Sequence, residues 1–84
     1  MSVVRDVVEV LARALTDQPD HVRVVESQRK GTTLVELFVA PSDLGKVIGK
    51  QGRTAAALRT LAATAGEKDG ATVTLEIRDA SYKA

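Results

Sequence analysis

Residues able to bind an anionic ligand are concentrated in the segment 44–53, which reads Leu-Gly-Lys-Val-Ile-Gly-Lys-Gln-Gly-Arg. Within it, Gly49 and Gly52 enclose Lys50 and Gln51, so a four-residue turn begins and ends with glycine. Glycine adopts backbone angles closed to other residues and lets a second backbone approach without an intervening Cβ. A turn that presents a lysine and an amide between two glycines is suited to holding phosphate groups.

The residues after this turn strengthen the same interpretation. A helix is predicted to begin at about Arg53, and the first N–H groups of a helix have no partner within it and lie at the positive end of its dipole. From Leu44 to Gly66 the chain has four basic residues and no acidic one, so, with a total charge of +1, the rest of the chain carries −3. Arg59 either extends this cationic track or lies on a solvated helix face.

The spacing of the glycines excludes two other phosphate-binding motifs. A mononucleotide P-loop needs four residues between its glycines, followed by Lys-Ser or Lys-Thr. Here Gly45 and Gly49 enclose three residues, and Lys50 is followed by Gln51. A dinucleotide-binding fingerprint needs G-x-G-x-x-G directly after a strand, which Gly45, Gly49 and Gly52 do not provide.

The composition does not favour catalysis. The chain has no cysteine and a single histidine, His21, and its carboxylates are scattered, so we predict no enzymatic activity, no metal site and no cofactor. The absence of cysteine suits a reducing compartment, and we expect a cytoplasmic location. The segment Met1–Leu15 mixes charged with apolar residues, so we expect neither a signal peptide nor a membrane partner.

Hydrophobic periodicity predicts the elements that must position this segment. Apolar residues recur at helical spacing over residues 3–15, and alternation predicts strands after Val22, over Thr33–Ala40 and over residues 72–78. Gly31 is expected in the turn between the first two strands. A short helix capped by Ser42 or Asp43 runs to Ile48, and a longer one starts at Arg53 and ends at Gly66 as its cap.

The order of elements predicts an α+β fold, αββααβ, with a three-stranded mixed sheet and three helices packed on one face. At 84 residues the chain is long enough for one domain. We expect its core over residues about 3–78 and a polar tail over 79–84. Phe38 lies in an apolar run and is expected in the core rather than as a platform for stacked bases.

The segment Val47–Arg53 resembles the I-G-x-x-G core of K-homology (KH) RNA-binding domains, in which a GxxG loop clamps a four-nucleotide backbone. The leading helix and final strand are similar to the type II version of that fold, and the resemblance covers nearly the whole chain. A free-standing KH domain of this length is similar to the bacterial KhpA family. The low aromatic content, 2%, favours a KH domain over folds that depend on stacking.

The resemblance implies single-stranded RNA as the ligand and a role for each residue of the segment. Gly49 and Gly52 would let the RNA backbone approach, and Lys50 with Gln51 would meet phosphates and sugars. Lys46 and Arg53 would flank the path of the RNA backbone. Val47 and Ile48, the predicted groove pair, would line an apolar groove for the bases.

One short site provides few contacts, so avidity favours a homodimer or a heterodimer with a second RNA-binding protein. The resemblance implies a KhpB-type, KH-containing partner and a role in RNA chaperoning and post-transcriptional control linked to cell length and peptidoglycan homeostasis. Two alternatives stay open. The chain either serves as a protein interaction module through its open sheet face or a helix, or binds single-stranded DNA.

Overall fold

The computed structural model describes residues 2–81, and residues 82–84 of the predicted tail lie outside them. The helices are α1 (Val3–Leu15), α2 (Leu44–Ile48) and α3 (Arg53–Lys68), and the strands are β1 (Arg23–Arg29), β2 (Thr32–Val39) and β3 (Thr72–Asp79). Short 3₁₀ turns cover Pro19–His21, Pro41–Asp43 and Lys50–Gly52. This order confirms the predicted αββααβ fold.

The three strands form one mixed sheet in the order β1-β2-β3. β1 and β2 are antiparallel, with Arg29 opposite Thr32, and β2 and β3 are parallel, with Thr32 opposite Thr72. The hairpin turns at Lys30 and Gly31, whose φ angles of 47° and 83° are both positive, as a two-residue type I′ turn requires. The parallel pairing is possible because the two helices α2 and α3 carry the chain back along the sheet.

The core lies between one face of the sheet and the three helices, as predicted. Alternate residues of β2 point into it, and Val35, Leu37 and Val39 are fully buried. The other buried residues of this cluster come from the helices, the flanking strands and the segment before β1: Val4, Val8, Ala12, Val22, Val24, Val47, Leu58, Ala62 and Leu75. None of the helices within residues 2–81 is both long enough and apolar enough to cross a bilayer.

The end of α3 differs from the prediction. Gly66 does not cap the helix but lies inside it, buried, and the helix continues to Lys68. Gly70 is the residue with the left-handed backbone, at φ 70°, and its N–H donates to the Glu67 carbonyl at 3.0 Å. The sequence offers two glycines near this end, and the later one has the conformation typical of a helix terminus.

Phe38 is 7% exposed, which confirms that it is not an open stacking platform. It lies on the sheet face opposite the main core, where the Arg23 guanidinium sits 4.6 Å from the ring centroid. On the same face, Arg78 Nε donates to Glu36 Oε2 at 3.2 Å. Polar side chains therefore cover much of the face that carries no helix.

Candidate nucleic-acid interface

The turn between α2 and α3, here called the GKQG loop (Gly49–Gly52), has an unusual backbone. Gly49 ends α2 with an N–H donated to the Gly45 carbonyl at 2.8 Å, and its angles are φ 77° and ψ 170°. Gln51 has φ 57° and Gly52 has φ 73°, so both lie in the left-handed region. The Gly52 N–H donates to the Gly49 carbonyl at 3.1 Å, which closes the loop into a tight turn.

The two glycines of the loop are required for different reasons. A Cβ on Gly49 would overlap the Thr54 hydroxyl and would lie 2.7 Å from Thr54 Cβ and 2.9 Å from its backbone nitrogen. A Cβ on Gly52 would meet nothing within 4 Å. Gly49 is therefore needed because the chain packs tightly on itself, whereas the space above Gly52 is open to an approaching ligand.

The side chains around the loop are exposed and cationic. Lys50, Gln51 and Arg53 are all exposed. Neither Lys50 nor Arg53 forms a salt bridge with any carboxylate of residues 2–81. Both charges are thus available to a ligand in the part of the chain that the structure describes, and no cost of breaking an ion pair opposes binding.

The start of α3 contributes less to this site than the sequence suggests. The helix begins at Arg53, as predicted, but the Arg53 N–H donates to the Lys50 carbonyl. One of the helix's first donors is therefore used within the loop. The exposed side chains and the open backbone at Gly52 are therefore the groups that the loop presents to solvent.

Lys46 is placed differently from the loop cations. Its Nζ lies 3.0 Å from Asp17 Oδ2 and 3.7 Å from Asp43 Oδ1. The hydrogen bond and the charge of Asp17 raise the pKa of Lys46 above its usual value. Because two carboxylates already neutralise it, Lys46 connects α2 to the segment after α1 and offers little charge to a ligand.

Asp43 is the buried centre of that connection, and the sequence interpretation as a helix cap missed this role. Its carboxylate makes no capping bond to α2. Instead, one oxygen accepts the Asp17 N–H at 3.0 Å and the other accepts the Gln18 N–H at 2.9 Å. These contacts, the Asp17 N–H above all, lower the pKa of Asp43, while desolvation opposes the shift.

The two apolar residues before the loop have separate surroundings. Val47 is fully buried in the core, so it anchors α2 and presents no surface to a base. Ile48 is half-buried and adjoins the loop. Of the predicted groove pair, only Ile48 is accessible.

No group of three or more side chains that could hold a metal ion occurs among residues 2–81. His21 is exposed in the 3₁₀ turn before β1. The residues that the structure brings together at the start of α3 are the GKQG loop and the exposed cations Lys50 and Arg53.

The family model and the similar proteins that match this chain carry the same family name. A family model described as "KhpA/KhpB, KH domain" matches residues 5–77. The chain is 52% identical over 77 residues to "RNA-binding protein KhpA" of Aquifex aeolicus, covering 92% of this chain and 98% of that protein. It is 58% identical over 66 residues to the protein of the same name from Mycobacterium tuberculosis, covering 77% of this chain and 81% of that protein.

Among solved structures, the fold resembles part of Era, crystallised with MgGDPNP and nucleotides 1506–1542 of 16S ribosomal RNA. The TM-score is 0.62 at 22% identity, over 90% of this chain and 29% of that one, so the likeness concerns the fold. The family match, by contrast, extends over most of the sequence and includes the GKQG loop. The chain belongs to the KhpA/KhpB family of KH domains.

Proposed function

We propose that this protein binds single-stranded RNA and grips the backbone of about four nucleotides with the GKQG loop. The observation that carries the proposal is the open space above Gly52 beside two exposed cations, Lys50 and Arg53, that form no salt bridge within residues 2–81. Phosphates would lie over Gly52, and Gln51 would donate to phosphate or sugar oxygens. The names of the relatives, which describe RNA-binding proteins, support this ligand.

The test is a fluorescence-anisotropy titration of short single-stranded RNA and DNA at two salt concentrations. Wild type is compared with the double variant Lys50→Asp, Gln51→Asp. For about four phosphates, log K for wild type should fall with log salt with a slope on the order of −2 to −3. The variant should lose binding because it replaces a cation and an amide with two carboxylates.

A control of equal charge change is available at the hairpin tip. Arg29→Asp with Lys30→Asn also alters the charge by −3, and both residues are exposed. The tip adjoins the end of the sheet at Thr32 and Thr72, whereas the loop lies at the opposite end of α3. If both double variants lose RNA affinity equally, and circular dichroism shows that both are folded, the loop is rejected as the RNA-binding site. Equal binding of RNA and DNA would mean that the 2′-hydroxyl is not read.

A second function, protein association, is favoured by an apolar groove between α1 and α3. Its lining includes Val3, Val7, Val10, Leu11 and Leu61. Val10 is 66% exposed and Leu61 is 46% exposed. Exposed apolar patches of this kind mark interaction sites, and a second copy would supply the second RNA grip that avidity requires. Light scattering across a concentration series should show a dimer.

The wider role is proposed on family grounds. We infer a cytoplasmic RNA chaperone or post-transcriptional regulator that also pairs with a KhpB-type KH protein and influences cell length and peptidoglycan homeostasis. A strain lacking the gene, complemented with wild type or with Lys50→Asp, Gln51→Asp, tests this directly. Restoration of cell length by wild type alone would connect the phenotype to the loop.

A further inference from the structure

The outer face of the sheet carries an arginine stacked on the single phenylalanine, at the end of the sheet where β2 leads into α2. Arg23, Phe38 and Arg78 lie opposite one another across the three strands. The Arg23 guanidinium lies over the Phe38 ring, which is 7% exposed, whereas Arg78 donates to Glu36. The plane of Arg23 backed by this ring, here called the Arg23 platform, is therefore the most exposed part of the row.

The platform is available to a ligand. Arg23 is exposed and forms no salt bridge within residues 2–81. It borders a cavity of about 300 Å³, which Asp20, His21 and Ala80 also line. That volume is at the lower end of the range for small-molecule sites, so the cavity suits one flat ring rather than a larger ligand.

The charges around this cavity favour a base over a phosphate. Asp20 lines it, and the next row of the same face carries Glu36 and Glu76 opposite Val25. Carboxylates repel a phosphate but accept hydrogen bonds from the amino groups of a neutral base. RNA-binding proteins stack unpaired bases on guanidinium planes as well as on aromatic rings. A guanidinium backed by a ring thus matches a single nucleobase.

The platform and the GKQG loop lie at the same end of the sheet but on opposite faces. α3 runs antiparallel to β3, because Arg59 bonds to Leu75 while Gly66, later in the helix, lies against Val73. The start of α3 is therefore near the last residues of β3, in the row of Phe38. The molecule measures 34 × 25 × 20 Å. At a rise of about 3.4 Å per stacked nucleotide, four nucleotides span about 14 Å and do not connect the two surfaces, whereas ten span about 34 Å and do.

We propose that the Arg23 platform is a second RNA contact, which stacks one base of a strand whose phosphates the GKQG loop holds. This inference rests on the proposed RNA binding and extends it to the outer face of the sheet. A strand long enough to engage both surfaces gains affinity because the second contact is intramolecular. One stacked base contributes a factor of about 5 to 150 to the binding constant.

The test compares two lengths of RNA. Oligouridines of about four and about fourteen nucleotides are titrated by fluorescence anisotropy against wild type, Arg23→Lys and Arg29→Lys. Arg23→Lys keeps the charge but lacks the plane, so it should weaken binding of the longer strand about 5- to 150-fold more than that of the shorter one. Arg29→Lys is the matched control, since Arg29 is exposed at the other end of β1, and it should change neither.

A nuclear magnetic resonance titration gives a direct readout of stacking. The ring current of a base should shift the Arg23 Nε–H resonance when the longer oligouridine is added and not when the shorter one is. If that shift is missing, or if folded Arg23→Lys affects both lengths equally or neither, the platform is overturned while loop-dependent binding of the shorter strand stands. If wild type binds neither strand, both proposals are overturned.

Discussion

At the scale of single residues, two carboxylates reduce the positive charge that the segment 44–66 offers to a ligand. Asp17 and Asp43 form salt bridges with Lys46, while Lys50 and Arg53 form none within residues 2–81. The segment 44–66 therefore carries less usable charge than its sequence indicates. Of the four basic residues of this segment, Lys50 and Arg53 lie at the GKQG loop and form no salt bridge within residues 2–81.

The first prediction concerns Asp43. The Asp43→Asn variant should melt several degrees lower than wild type near pH 7, because an amide replaces one of the two oxygens that accept the Asp17 and Gln18 N–H groups. Thermal denaturation followed by circular dichroism measures this. The same change at the exposed carboxylate of Asp20, Asp20→Asn, is the control.

The pH dependence of that difference follows from the pKa of Asp43, which lies below its ordinary value of 3.8 in the folded protein. The unfolded chain therefore takes up a proton first, so the carboxylate's stabilisation is fully present above about pH 4 and is lost as the pH falls through the folded pKa. Wild type and Asp43→Asn should converge at low pH. A constant difference in melting temperature from about pH 7 to 3 would contradict this.

The second prediction separates the two loop glycines. Gly49→Ala should destabilise the protein by about 3 kcal/mol or more, since its backbone region is nearly exclusive to glycine and its Cβ would overlap Thr54. Gly52→Ala should cost about 1 to 2 kcal/mol, for the left-handed angle alone. Urea denaturation gives both values. Equal losses in the two variants would show that the Thr54 contact is unimportant.

At the scale of elements, α3 unites the loop with the sheet. Its first turn closes the GKQG loop, Arg59 reaches the edge of β3, and Gly66 lets its last turns approach β3 closely. A shift of this helix would therefore move the GKQG loop relative to the edge of β3. Its packing determines the distance between the two.

The third prediction compares two helical glycines. Gly66→Ala should destabilise by about 1 to 2 kcal/mol despite alanine's better helix propensity, because the Cβ would overlap Val73 and lie 3.1 Å from the Ala71 carbonyl oxygen. Gly45→Ala in α2 meets nothing within 4 Å and should be neutral or stabilising by up to about 1 kcal/mol. Chemical denaturation of the pair checks this; a stabilised Gly66→Ala would refute the packing argument.

Local patterns predicted the elements well because each depends on neighbours in sequence. Alternation located β2, and Gly31 located the hairpin. The contacts of Asp43 were not predictable, since its partners lie 25 and 26 residues away and Ser-Asp before a helix is an ordinary cap. Val47 similarly looked available to a base until packing placed it in the core.

At the scale of the whole molecule, the outer sheet face and the helical side differ in polarity. The outer sheet face carries the Arg23–Phe38 contact and the Glu36–Arg78 ion pair. The helical side carries the apolar groove between α1 and α3. The exposed apolar groove therefore lies on the helical side of the molecule, whereas the outer sheet face carries charged side chains.

The fourth prediction tests that surface. Val10→Glu with Leu61→Glu should shift the protein toward monomer in light scattering, because carboxylates in an apolar interface lose hydration without gaining partners. Val25→Glu on the sheet face, where the valine is also exposed, should leave the oligomeric state unchanged. A dimer that survives the groove variant, or dissociates with Val25→Glu, would place the interface elsewhere.

The parallel pairing of β2 with β3 has a consequence for how the protein comes to be folded on the ribosome. The paired residues Thr32 and Thr72 are 40 positions apart, and Leu75 completes the buried cluster. Until residues 72–79 have left the exit tunnel, β2 has one bare edge and the core remains open. The nascent domain is then vulnerable to edge pairing with other chains, and its buried core is complete only after β3 docks.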